Sequence, residues 1–135
     1  MIMFVTPIHA ALLALRFVFL SVRVIGMRRK AEVSLGDCGN RDLMRRLRVH
    51  GNFAEYVPFA IVLMALAELQ GGPIWAIHLM GIALTAGRLI HAYGVSQEPE
   101  WFRLRVLAMG LTFSVLIMGA LANLGFAGLA SLPVG

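Results

Sequence analysis

The stretch RVHGNFAEYVPF, residues 48 to 59, stands at the head of a long apolar run. Within a few residues it carries an arginine, an asparagine, a glutamate and a proline. How it is read decides the fold, because these are residues that a membrane helix tolerates only for a reason.

Composition identifies the solvent. Of 135 residues, 59% are hydrophobic and 14% charged, with a mean hydropathy of +0.81, whereas ordinary soluble domains are roughly half apolar and a quarter charged. A membrane span takes roughly 20 mostly apolar residues. Four segments satisfy that, at about 5–26, 53–70, 73–93 and 104–130, and together they use nearly the whole length. Residues 1–135 are therefore expected to form one unit, an all-α four-helix membrane bundle. No repeat, linker or low-complexity tract interrupts it.

The basic residues give an orientation. Arg28, Arg29, Lys30, Arg41, Arg45, Arg46 and Arg48 all lie between the first two spans, while the QGGP connection at 70–73 has no charge. The positive-inside rule puts the first loop and the turn between spans three and four in the cytoplasm, with both termini outside. The first span has no basic residue before Arg16, which argues against a cleavable signal peptide. The pI near 10.7 comes without a nucleic-acid recognition fold, so anionic lipid headgroups are the expected partners of the charge and nucleic acid is not. A single cysteine, Cys38, excludes an internal disulfide and a cysteine metal cage.

Local signals fill in the connections. Asn40 or Asp42 can cap a second helix that starts before the membrane, QGGP makes a tight hairpin with Pro73 opening the third helix, and VSQEPE at 95–100 makes the last turn. Pro58 removes the amide that would have bonded the Ala54 carbonyl.

Helical geometry makes sense of the opening stretch. At 100° per residue, Arg48, Asn52, Glu55 and Phe59 fall within about 60° of one another and form one stripe. A charge at the lipid-facing centre of a bilayer costs about 2.5 to 3.5 kcal/mol on insertion scales, so the stripe is expected to face other helices or a wet cleft. On span three, Gly81, Thr85, Arg88, Ala92 and Val95 share a face with His91 beside it. On span four, Arg105, Met109 and Thr112 share another, with Arg103 at the mouth. Arg48, Arg88, Arg103, Arg105 and Glu55 are thus expected to converge. Several guanidinium forks with one carboxylate suit a small zwitterion of excess negative charge. Outside this cluster, Arg23 is expected to snorkel to the headgroups and Arg16 has no assigned role. His9 and His78 are expected to be structural or interfacial, without a metal-ligating partner. Glu68 is expected to be solvated.

These residues carry a resemblance. RVHGNFAEYVP is similar to the second-span signature of the MAPEG family, the membrane-associated proteins of eicosanoid and glutathione metabolism: arginine, asparagine four on, glutamate three further, an aromatic, and proline two beyond it. MRRK at 27–30, GRLIHAYG at 87–94 and RLRVLAMGLT at 103–112 resemble the corresponding family segments, so that about 120 of the 135 residues follow the pattern. The resemblance implies a homotrimer in a bacterial inner membrane, with glutathione held between subunits near the cytoplasmic face. Arg48, Asn52, Glu55, Tyr56, Arg88 and His91 would bind the peptide. Arg28 or Arg29, from a neighbouring subunit, would reach its glycine carboxylate. Arg105, or alternatively Arg103, would activate the thiol, and no metal is required. Gly51 and Val95 replace an arginine and a tyrosine of prostaglandin-synthase-like members, so the resemblance points to a microsomal-type glutathione transferase or peroxidase acting on lipophilic electrophiles. The competing classes are a non-catalytic lipid-binding scaffold and a small multidrug exporter. For the exporter, the arginines would repel a cationic substrate.

Overall fold

Asn40 sets the start of the second helix: its side-chain oxygen accepts the Leu43 amide at 3.0 Å, relieving one of the amide groups that a helix N-terminus leaves unpaired. The computed structural model describes residues 2–131. Among them are four helices, α1 (Val5–Ala31), α2 (Arg41–Leu69), α3 (Ile74–Ser96) and α4 (Phe102–Ala130). Each is long and apolar enough to cross a membrane. Several begin or end in extra turns beyond the apolar segments, because the polar flanks continue the helix outside the hydrocarbon. The hairpin between α2 and α3 needs Gly71 in the left-handed region, at φ 89°. Pro73 at φ −63° stands at the N-cap of α3.

Helices α2, α3 and α4 pack against one another, and among the described residues α1 lies against α2 and α3. The core between them holds Leu13, Leu20, Phe53, Val57, Met64, Leu84 and Val115. Equally apolar side chains, such as Leu15, Val22, Ile82, Ile117 and Leu124, point outward. In lipid that outward face loses nothing, so apolar burial alone does not hold the helices together; close packing and interhelical hydrogen bonds do. The α3–α4 seam shows the packing: a Cβ on Gly87 would come 3.1 Å from the Ala108 carbonyl, and one on Gly94 3.0 Å from the Leu104 Cβ.

The end of the bundle away from the basic loop corrects one expectation. Glu68 is not solvated. It is 6% exposed, and its carboxylate accepts the amides of Phe4 at 2.8 Å and of Val5 and Thr6 at 2.7 Å each. The first turn of α1 has no capping side chain of its own. A carboxylate from α2 therefore supplies the cap, in the position where a helix dipole favours negative charge. His9 and His78, expected to be structural or interfacial, pair with each other there, their ring nitrogens Nε2 and Nδ1 lying 3.2 Å apart.

Replacing Glu68 by Gln keeps the shape but turns one acceptor into a donor facing a backbone amide. The thermal unfolding midpoint in detergent should fall, by an amount corresponding to about 1 to 3 kcal/mol. An unchanged midpoint would mean that this cap does not hold α1 in place.

Candidate functional site

The polar stripe of α2 opens onto a cleft of about 520 Å³ at the basic end of the bundle. Arg45, Arg48, Asn52 and Glu55 line it from α2, His91 and Val95 from α3, and Glu100 and Arg105 from the turn and the start of α4, with Met44, Leu47 and Gly51 completing the wall. Its size suits a small peptide or metabolite.

Beneath the cleft lies Arg88, which is 3% exposed. Its guanidinium donates to Asn52 Oδ1 on α2 and to Thr112 Oγ1 on α4, and Nη2 lies 3.7 Å from Met109 Sδ. Thr112 Oγ1 in turn donates a hydrogen bond to the Ala108 carbonyl at 3.0 Å. Arginine only donates, so Asn52 must turn its oxygen toward Arg88. Its amide NH₂ is what remains for a ligand, and it can only donate. Arg88 is therefore held inside a single chain by three helices, and it acts on the cleft by orienting Asn52.

Glu55 and Arg48 behave differently. Both are exposed, and the ion pairs among the described residues join Arg41 and Arg45 to Glu98, and Arg105 to Glu100, without engaging either. One carboxylate and one guanidinium thus stand on the cleft wall, two turns apart on α2, with an amide donor between them. A ligand carrying an ammonium group and carboxylates would meet complementary groups at both ends.

The turn after α3 contributes residues that the sequence reading treated only as a turn. Glu98 accepts from Arg45 at 2.9 Å and from Arg41 at 3.5 Å, tying α2 to the α3–α4 connection. Glu100 accepts from Arg105 at 3.0 Å. That pair is about 40% exposed at each side chain, 42% and 36%, so it is worth no more than about 1 kcal/mol and yields readily to a bound anion. Two carboxylates flanking Pro99, opposite an arginine-rich helix end, were the signal available in the sequence.

Of the other candidate residues, His91 is at the cleft and the rest lie elsewhere in the single chain. His91 is buried at the cleft. Tyr56 turns away to pack edge-on against Phe113, with centroids 5.6 Å apart. Arg28 donates to the carbonyls of Ser34 at 3.3 Å and Gly36 at 2.9 Å, bracing the loop before α2. Arg29 and Arg103 are exposed outside the cleft.

A model of the MAPEG family matches residues 6–125, a range that contains every cleft residue. The chain belongs to the MAPEG family. It is similar to the inner membrane protein YecN of Escherichia coli strain K12, with 40% identity over 122 residues, covering 90% of this chain and 92% of YecN. YecN of a second Escherichia coli strain is similar to the same extent. In this MAPEG membrane protein Arg48, Asn52 and Glu55 of the second span stand on the wall of one cleft.

At the cleft mouth, the Arg45 guanidinium, first by hydrogen bonding and then by its charge, holds the Glu98 carboxyl below the usual carboxylate range. A depressed carboxyl stabilises its docked state above the undocked value, about 4.3, and that contribution is lost as pH falls through the docked value. Trp101, packed edge-on against Tyr93 at 6.1 Å, reports the turn. With Trp75 replaced by Phe, its emission should stay constant through the neutral range and change only in acid below the usual carboxylate range. Glu98→Gln should give the acid-state emission already at neutral pH, and unchanged emission in that variant would show that the tie does not position the turn.

Proposed function

We propose that the protein is a glutathione-dependent transferase or peroxidase of a bacterial inner membrane, activating the glutathione thiol against lipophilic electrophiles or hydroperoxides in a detoxifying role. The observation that carries this reading is the cleft itself. Arg48, the Asn52 amide and Glu55 present two donors and one acceptor along α2, and a second guanidinium, Arg105, faces them from α4. Glutathione has one ammonium and two carboxylates, and membership of the family supports the choice among ligands of that charge pattern. The inner-membrane location rests on the similarity to YecN, and a cytoplasm-facing cleft follows from the positive-inside rule, since the cleft lies at the basic end.

The roles follow from chemistry. Glu55 accepts the ammonium and Arg48 takes a carboxylate, with the Asn52 NH₂ donating between them. Arg105 leaves Glu100 to stabilise the thiolate, with Arg103, outside the cleft of the single chain, the alternative. A free thiol titrates near 8.5, so only a few per cent is ionised at neutral pH, and each pKa unit gained from a nearby guanidinium is worth about 1.4 kcal/mol. The thiolate sulfur then bonds to the electrophilic carbon while its leaving group departs, with positioning and electrostatics supplying the rate. No step requires a metal. The assembly proposed is a homotrimer in which Arg28 or Arg29 of a neighbouring subunit completes the site and Tyr56 borders it, so that electrophiles dissolved among the lipids enter between subunits.

Calorimetric titration with glutathione tests recognition. Glu55→Gln should weaken binding by about 1.5 to 3 kcal/mol, the range for a hydrogen bond to a charged group. Unchanged affinity would remove Glu55 from the site. With an activated aryl halide as electrophile, Arg105→Ala should lower kcat far more than it weakens binding, and Arg103→Ala should do less. Binding without turnover in the unaltered protein would favour the lipid-binding scaffold instead. Mass measured in mild detergent should equal three chains, and a monomer with full activity would contradict the intersubunit site.

A further inference from the structure

A second group of arginines lies outside the cleft, on the α1–α2 side of the bundle. Arg16 and Arg23 are two turns apart on α1, about 10.5 Å along the helix axis. Both lean on the ring between them: the Arg16 guanidinium lies 5.0 Å and the Arg23 guanidinium 5.9 Å from the Phe19 centroid. The shared ring draws the two cations together rather than letting each reach separately toward water, as isolated snorkelling side chains would. From α2, Arg46 Nη1 donates to the Arg23 main-chain carbonyl at 3.1 Å, so a third guanidinium lies beside this segment of α1. Arg23 feels the like charges of both Arg46 and Arg16, and Asp42 is the opposing charge that reaches it.

None of the three takes part in the ion pairs among the described residues. Arg16 Nε is buried with no hydrogen-bond partner among them. The apolar side chains around this group, Leu12, Leu15 and Val22 with Phe19 itself, are exposed, so the half-buried arginines border an apolar surface suited to lipid. A cluster of cations with one carboxylate nearby, an unsatisfied buried N–H and a lipid-facing setting lacks an anion that arrives from the membrane. Guanidinium forks match phosphate oxygens, and anionic lipids concentrate in the cytoplasmic leaflet, where the positive-inside reading places this end of α1.

We infer that Arg16, Arg23 and Arg46 form a binding site for the phosphate of an anionic glycerophospholipid, held on the outer side of α1 and α2 and separate from the cleft. Arg23 and Arg46 grip the phosphate, and Arg16 draws it down over the Phe19 ring.

Native mass spectrometry of the full-length protein, released from nanodiscs of phosphatidylcholine doped with phosphatidylglycerol, tests this. The unaltered protein should retain phosphatidylglycerol several-fold above its share of the bilayer, and Arg16→Gln and Arg23→Gln should each lower that enrichment at least threefold. Lys30→Gln, which removes an exposed charge at the same end of α1, should leave it unchanged. Arg23→Lys, which keeps the charge and loses the fork, should fall between. If the Gln variants prove unstable, the unaltered protein and Arg23→Lys still decide the matter. No enrichment in the unaltered protein would overturn the site. An equal loss in Lys30→Gln would replace it with diffuse surface attraction. Displacement of the lipid by inorganic phosphate at equal phosphate concentration would show that the site takes the free anion and has no use for the lipid.

Discussion

A single buried guanidinium organises the basic half of this protein. Arg88 is enclosed by α2, α3 and α4 and finds its partners on the two neighbouring helices, Asn52 and Thr112. In lipid, where apolar side chains gain little by meeting one another, interhelical hydrogen bonds of about 0.6 to 2 kcal/mol each weigh heavily in fixing how helices sit. A buried charge that loses its partners is also strongly destabilising. The helices therefore have to keep the spacing that satisfies Arg88. That spacing leaves a cleft directly above it, with the Asn52 amide already turned to donate.

The far end of the bundle is held by the same logic with the opposite charge. The amides opening α1 have no local acceptor, and Glu68 gathers three of them. Nearby, Asn123 donates to the Leu63 carbonyl at 2.9 Å and accepts from Gln70 at 2.6 Å, tying α4 to α2. Each end thus carries a buried polar tie and the apolar middle carries the packing. Three ionisable groups of the cleft are left largely without an obligation to the fold: Glu55 and Arg48 form no ion pair among the described residues, and Arg105 is held by a weak exposed pair. Groups whose charges are not consumed structurally are the ones available for a ligand.

The helices were legible in the sequence because hydropathy and the charge of the loops are local properties, and the stripe of Arg48, Asn52 and Glu55 because it needs only the helical repeat. The inward placement of Arg88 followed from the cost of exposing it to lipid. What escaped were pairings made across the fold. Glu68 reads as an acidic residue near a helix end, and nothing local reveals that amides more than sixty positions away require it. The pairing of His9 with His78 was hidden for the same reason. Glu98 and Glu100 look like turn residues until α2 and α4 bring Arg45 and Arg105 beside them. Asn52 was recognised as a site residue, yet its division of labour, oxygen to Arg88 and NH₂ to the cleft, required the third helix in place.

The central claim is that the cleft turns a bound thiol into a thiolate through Arg105. Ultraviolet absorbance tests it most directly, by following the thiolate band of glutathione mixed with the purified protein in detergent as the pH is raised. A band present at neutral pH in the unaltered protein, and shifted to higher pH when Arg105 is replaced by Ala, is the predicted result. Glutathione that binds but titrates as it does free in water, with or without Arg105, would contradict the claim.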